Sequence, residues 1–248
     1  MKPFIDKRLF VSKVKDIGYG VFASKYIPKN TIIEIAICKH IYDNQICEDL
    51  NLINDYTYYY DSKKCVLALG YGSIYNHASD KISNVIYLVT KNKIIYETTK
   101  DIQKNQQLTI DYSDEWVKNR KIKIKNDIVY SKKTKNPSIF ISKKLKVENY
   151  NVFADDKIEK GEIIEISHTI NFENIFYLNK NHSLSKLLFY NKEDNFLLPL
   201  GYANIYSIKD NCNVVYFIKN KKIYFKAIRK IKKGEIISIS KQRLFNIK

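Results

Sequence analysis

No stretch of this chain is apolar for long enough to cross a bilayer, which needs ~20 consecutive apolar residues. Residues 1–10 carry charges where a signal peptide would be apolar. The four cysteines, Cys38, Cys47, Cys65 and Cys212, stand far apart and form no C-x-x-C pair. That spacing argues against a structural zinc site, and no metal is expected. Together these absences predict a soluble intracellular protein with reduced thiols and no membrane partner. Its compartment follows its source: cytoplasmic in a bacterium, host nucleus or cytoplasm for a viral protein or secreted effector. Glycine is also scarce, with 7 Gly against 20 Tyr. The tyrosines and the many isoleucines suit strands better than helices.

Lys and Arg outnumber Asp and Glu by 43 to 26, a net charge of +17. One reading is an anionic partner such as nucleic acid or nucleosomal DNA. The other is a chain rich in Lys, Asn and Ile because its coding DNA is rich in A and T. The lysines form no single arm, and runs such as 118–125 read as solvated faces.

The 248 residues suffice for two small domains, and the sequence repeats itself. Val21-Phe22-Ala23 recurs as Val152-Phe153-Ala154, 131 positions on. Ile32-Ile33-Glu34-Ile35, Leu69-Gly70-Tyr71 and Ile74-Tyr75 recur at the same offset. Asn84-Val85-Ile86-Tyr87 then matches Asn213-Val214-Val215-Tyr216, at an offset of 129. Short alternating or β-branched runs predict strands over 32–37, 85–90, 93–98 and 107–112. Their counterparts are 163–167, 214–218, 222–227 and 236–240. Lys91-Asn92 and Asn220-Lys221 fall where hairpin turns belong. Segments 45–60 and 172–189 read as helical, and 117–137 as the connection between the halves.

Three constellations in the first half change in the second. Gly18-Tyr19-Gly20 permits positive φ and close approach of backbone to a ligand; its counterparts include Asn149 and Asn151. It is no dinucleotide fingerprint, because the third glycine and the following helix are missing. Asn76-His77 becomes Ser207-Ile208 although the flanking Gly-Tyr and Ile-Tyr survive. Asp111-Tyr112 becomes Ser240-Lys241 while the apolar residues before it persist as Ile237 and Ile239. The packing pattern is kept and the chemistry is lost.

Gly-x-Gly, then Asn-His, then Leu108-Thr109-Ile110-Asp111-Tyr112, in this order, resembles the SET domain of protein lysine methyltransferases. Within that family the likeness is to compact SET-only proteins of bacteria and chlorella viruses. It spans residues 5–117; residues 138–248 resemble the same fold without its signature residues. The resemblance implies a mainly β fold of two tandem SET domains, built of short curved sheets with few short helices. It also implies a knot-like crossing of the Asn-His and tyrosine segments in the first copy. The implied division is a catalytic domain at 1–120, a linker at 121–137 and a degenerate copy at 138–248.

By the same resemblance the methyl donor is S-adenosylmethionine, with S-adenosylhomocysteine as product. The family's cofactor roles carry over to Gly18, Tyr19, Gly20, Asn76 and His77, with Trp116 against the adenine. Tyr112 matches the essential tyrosine, Tyr56 a second channel tyrosine and Tyr87 a third candidate. Ile110 and Tyr71 are placed at the substrate channel. Three departures touch the cofactor side: Ala78 for serine, a longer 78–83 segment, and Ser113 for glycine. The implied activity is lysine N-methylation of histone H3 or another basic protein. The second copy then acts as an internal stand-in for a dimer partner or as a docking surface, unless the chain is itself a homodimer. The competing reading is a non-catalytic basic scaffold that binds chromatin or nucleic acid through both copies.

Overall fold

The computed structural model describes residues 2–42, 53, 55–61, 64–119, 128–133, 139–172, 187–191 and 195–240. The first half contains ten strands: β1 (Phe4–Ile5), β2 (Leu9–Val14), β3 (Gly18–Ala23), β4 (Ile32–Tyr42), β5 (Thr57–Asp61), β6 (Lys64–Leu69), β7 (Asn76–His77), β8 (Val85–Val89), β9 (Lys93–Thr98) and β10 (Gln107–Ile110). One short helix, α1 (Asp114–Asn119), follows. The second half contains β11 (Phe140–Ile141), β12 (Leu145–Glu148), β13 (Asn151–Ala154), β14 (Ile163–Ser167), β15 (Thr169–Phe172), β16 (Phe189–Asn191), β17 (Asn195–Pro199), β18 (Ser207–Ile208), β19 (Val214–Lys219), β20 (Lys222–Ala227) and β21 (Ser238–Ile239).

Strict alternation places these residues. In β9 every second side chain, Ile94, Tyr96 and Thr98, is buried, and in β20 Ile223, Phe225 and Ala227 repeat the pattern. Sheet order in the first half is β5-β6-β4-β9-β8, with β1 also on β4, beside a second sheet β2-β3-β10-β7. The second half repeats these pairings. β11 lies on β14 as β1 lies on β4, and β15-β17-β16 matches the far part of β4 with β6 and β5. Thr109 pairs with Asn76 and Ile110 with His77 in parallel; Ser238 pairs with Ser207 and Ile239 with Ile208 in the same register. From β3 onward the pairings thus reproduce the sequence offsets of 131 and 129, while Ile5 and Leu9 correspond to Ile141 and Leu145 across the shorter second hairpin.

Two expectations are corrected. The helical reading of 45–60 holds at Ile53, which is helical, and fails over Thr57–Asp61, a strand held by β6. Most of that segment, and residues 173–186 of the other helical reading, lie outside the described residues, while Phe172 and Phe189 belong to strands. The second hairpin is also shorter. Val14 pairs with Gly18 in the first, whereas Glu148 pairs with Asn151 across a two-residue turn in the second. Asn149 and Tyr150 there have φ of 47° and 59°, the type I′ geometry that suits right-twisted strands.

The halves share a core. Ile37, Ile41, Leu67 and Leu69 pack with Leu198, Leu200, Tyr202 and Phe225, while Ile139 packs into the core around Tyr75 and Tyr96. The contacts are reciprocal, as in an isologous dimer interface. Ile5 and its counterpart Ile141 each pack against both cores. Tyr71 feels Glu165 across the seam, and Tyr202 feels Glu34. Each glutamate is fully buried, and the ring hydroxyls of Tyr75 and Tyr206 donate to Glu34 and Glu165 at 3.0 and 2.6 Å. Burial nevertheless pushes the two carboxyls up to about 8 and about 7. The segment 128–133 runs back along the first half, where Tyr130 bridges Gln106 and the Gln107 N–H donates to Val129 O.

Candidate active site

The β2–β3 hairpin brings Gly18-Tyr19-Gly20 beside β10 and β7. Gly18 has φ of 114°, a conformation that a side chain disfavours. Gly20 is required by proximity: a Cβ there would stand 2.4 Å from Gln107 Nε2 and 2.9 Å from Asn76 Nδ2. Among the described residues these two amide nitrogens are buried without a hydrogen-bond partner, and so is His77 Nε2. Unpaired buried donors are costly and mark a place for a polar ligand.

His77 is fixed by its neighbour. The Tyr112 N–H donates to His77 Nδ1 at 3.1 Å, so Nδ1 is the acceptor and the ring proton sits on Nε2. The 3.6 Å approach of Asp111 to Nδ1 is therefore not an ion pair. Burial lowers the pKa of His77, against the pull of Asp111 and Asp114, and keeps it neutral.

Beside this lies a cluster of tyrosines. Tyr112 stacks obliquely on His77 with ring centroids 5.3 Å apart, and its hydroxyl donates to Tyr75 O. The Tyr58 and Tyr96 hydroxyls both donate to Gly72 O, at 2.5 and 3.3 Å. Tyr58 meets Tyr87 at 5.0 Å and Tyr96 at 6.2 Å; Tyr96 meets Tyr75 at 4.8 Å and Tyr87 at 6.4 Å. Burial raises the hydroxyl pKa of Tyr112 first, and the nearby Tyr56, Tyr87 and Asp55 raise it further. Tyr56, Tyr58 and Tyr87 are likewise raised by burial. Every one of these phenols keeps its proton at neutral pH.

The second half holds four of the same rings with two of the four hydroxyls. Phe189, Tyr216, Phe225 and Tyr206 stand where Tyr58, Tyr87, Tyr96 and Tyr75 stand in the first. Their spacings run in parallel: Phe189 to Tyr216 4.9 Å, Phe189 to Phe225 5.8 Å, Tyr206 to Phe225 5.3 Å, Tyr216 to Phe225 6.2 Å. The strand register also puts Leu187 where the first half has Tyr56. The ring framework serves packing in both halves; the hydroxyls at 56, 58 and 96 belong to the first alone.

Of the residues expected from the sequence, Gly18, Gly20, Asn76, His77 and Tyr112 come together, and Tyr56 and Tyr87 lie beside Tyr112. Ile110 is fully buried next to His77. Tyr71 is placed differently from the channel position expected of it. Its N–H donates to Glu34 at 2.8 Å and its hydroxyl accepts from the Ile141 N–H, at the seam between the halves. Trp116 lies in α1, and its side chain lies outside the described residues. Gln107, Tyr58 and Tyr96 were not anticipated. The register to Ile236, Phe189 and Phe225 carries the signal for all three, since each loses its polar group in the repeat.

The chain belongs to the SET-domain family of protein-lysine methyltransferases: the SET domain model matches residues 18–113 and again 149–240, together more than half of the chain. It is 36% identical over 118 residues to the histone-lysine N-methyltransferase, H3 lysine-37 specific, of Schizosaccharomyces pombe, covering 45% of this chain and 78% of that protein. A crystal structure of a Plasmodium falciparum protein assigned as a histone methyltransferase matches 45% of this chain and 98% of its own, at 34% identity and a TM-score of 0.38.

Proposed function

We propose that the first half, residues 1–120, transfers a methyl group from S-adenosylmethionine to a lysine of a basic protein, with a histone H3 tail as the first substrate to test. Residues 121–137 then connect it to a degenerate SET copy at 138–248 that occupies the place of a dimer partner. The observation that carries this reading is the difference between the two ring clusters. Four rings stand in both, but the hydroxyls at 58 and 96, and the tyrosines at 56 and 112 themselves, are kept by the first alone. The histone H3 activity named for the fission-yeast relative supports the substrate.

The residues present fit the donor. SET methyltransferases generally use S-adenosylmethionine, whose bound form supplies an electrophilic sulfonium methyl. The unpaired donors of Asn76, His77 and Gln107 suit its polar groups, and Gly18–Gly20 lets backbone approach closely. On the acceptor side the lysine must arrive as a neutral amine, and a buried, largely apolar channel disfavours the ammonium. Tyr112 and Tyr58 have committed their protons to Tyr75 O and Gly72 O. With its proton so directed, each oxygen meets an incoming amine as an acceptor of its N–H bonds and can aim its lone pair. Their raised pKa values mean that they orient the amine and do not take its proton.

The test is methyl transfer from labelled S-adenosylmethionine to core histones and H3 peptides, with Tyr112→Phe alongside. Losing one aligning hydroxyl should cost roughly 100-fold in rate. Equal labelling by both proteins would remove Tyr112 from the mechanism.

A further inference from the structure

We infer that His168, a residue of the second half, is a positioning residue of the methyl-transfer site in the first half, where it ties the cofactor turn to the lysine channel. The inference rests on the proposed function. His168 stands between two residues of that site. Its ring meets Tyr19, the middle residue of the Gly-x-Gly turn, edge-on at 5.5 Å. It meets Tyr56, the tyrosine that most strongly influences Tyr112, at 6.0 Å. Among the described residues no other ring of the second half meets both.

Symmetry separates this contact from ordinary interface packing. The seam is isologous, so a contact made only for packing should have a similar contact on the other side. The cation over Tyr19 has one in kind, though from a different strand position, since Lys222 corresponds to Lys93. Lys222 Nζ lies 5.0 Å from the Tyr19 centroid, and Lys39 Nζ lies 6.0 Å from that of Tyr150, the counterpart of Tyr19. His168 has none. Its counterpart at the offset of 131 is Ile37, an apolar core residue. The imidazole therefore occurs only where it faces the copy that keeps the hydroxyls.

The chemistry suits a channel that must hold a neutral amine. Burial first, and Lys222 second, push the pKa of His168 down to about 4, so the ring carries no charge at neutral pH. A neutral imidazole packs two aromatic rings without setting a further cation beside the incoming lysine.

The experiment uses the full chain and four proteins: wild type, His168→Ile, His168→Phe and Lys39→Ala. His168→Ile installs the residue type that already packs at the mirrored position, and His168→Phe keeps a ring. For each, kcat and peptide KM are measured together with the S-adenosylhomocysteine Kd by calorimetry. We expect His168→Ile to lower kcat roughly tenfold and to weaken S-adenosylhomocysteine several-fold, with His168→Phe recovering most of both. Lys39→Ala, which removes the cation over Tyr150 in the other copy, should match wild type. Wild-type kcat, KM and Kd in His168→Ile overturn the inference, and so does an equal loss in Lys39→Ala. Should wild type bind S-adenosylhomocysteine but methylate nothing, the methyltransferase reading falls, and the Kd of His168→Ile alone decides the role of His168.

Discussion

Ser113 follows Tyr112 where the family usually has glycine, and its φ of 79° is one that glycine adopts freely and a side chain does not. Its N–H donates to Asp111 Oδ1 at 2.8 Å, which holds the turn against that strain. Ser113→Gly should therefore raise stability by about 1 kcal/mol, read as a shift in the denaturation midpoint at unchanged slope. A loss of stability would show that the serine side chain does more for the turn than the backbone strain costs. Legibility at this scale divided by mechanism. Gly18, Gly20, Asn76, His77 and Tyr112 stood out because the repeat replaces each of them while keeping apolar neighbours. Tyr58 and Tyr96 were not, because their hydroxyls meet at Gly72 O only after β5 and β9 are placed. His168 was hidden for another reason: it sits in the copy that lost its signature, and no spacing links it to Tyr19.

Among the elements, β10 carries both Gln107 and the approach to Tyr112, and Asn84 holds it in place. The Asn84 side chain donates to Gln107 O at 2.9 Å and accepts from the Thr109 N–H at 2.9 Å. Asn213 repeats the clamp on β21 and the residues before it, donating to Ile236 O at 2.8 Å and accepting from the Ser238 N–H at 2.9 Å. This explains why Asn84 survives in the second half while Asn76 and His77 do not: it serves the fold. Asn84→Ala and Asn213→Ala should each cost about 1–3 kcal/mol, since either leaves buried backbone groups unpaired. Only Asn84→Ala should also lower methyl transfer, which denaturation curves and the labelling assay measured on the same samples would separate. The strands at 93–98 and 222–227 were legible to the residue, because burial on one face leaves a period of two; that at 163–167 was legible from its isoleucine-rich run, buried on both faces. The strand Thr57–Asp61 was not, because pairing with β6 overrides local preference where the pattern is mixed.

For the molecule as a whole, duplication was plain from the offsets, but the way the copies meet was not. Reciprocal contacts at Ile5 and Ile141, at Tyr71 with Glu165 and at Tyr202 with Glu34 join the two copies along one seam. Because Leu67 and Leu69 pack with residues of the other half, the second copy is tied to the first through a common core. Among the described residues no helix is long and apolar enough to cross a membrane. The division of labour between one equipped copy and one stripped copy has a direct measurement. Calorimetric titration of the full chain with S-adenosylhomocysteine should give one site per chain, and Gly20→Ala should abolish it by driving a Cβ into Gln107 and Asn76. Two sites per chain, or a single site that survives Gly20→Ala, would contradict a cofactor pocket confined to the first half.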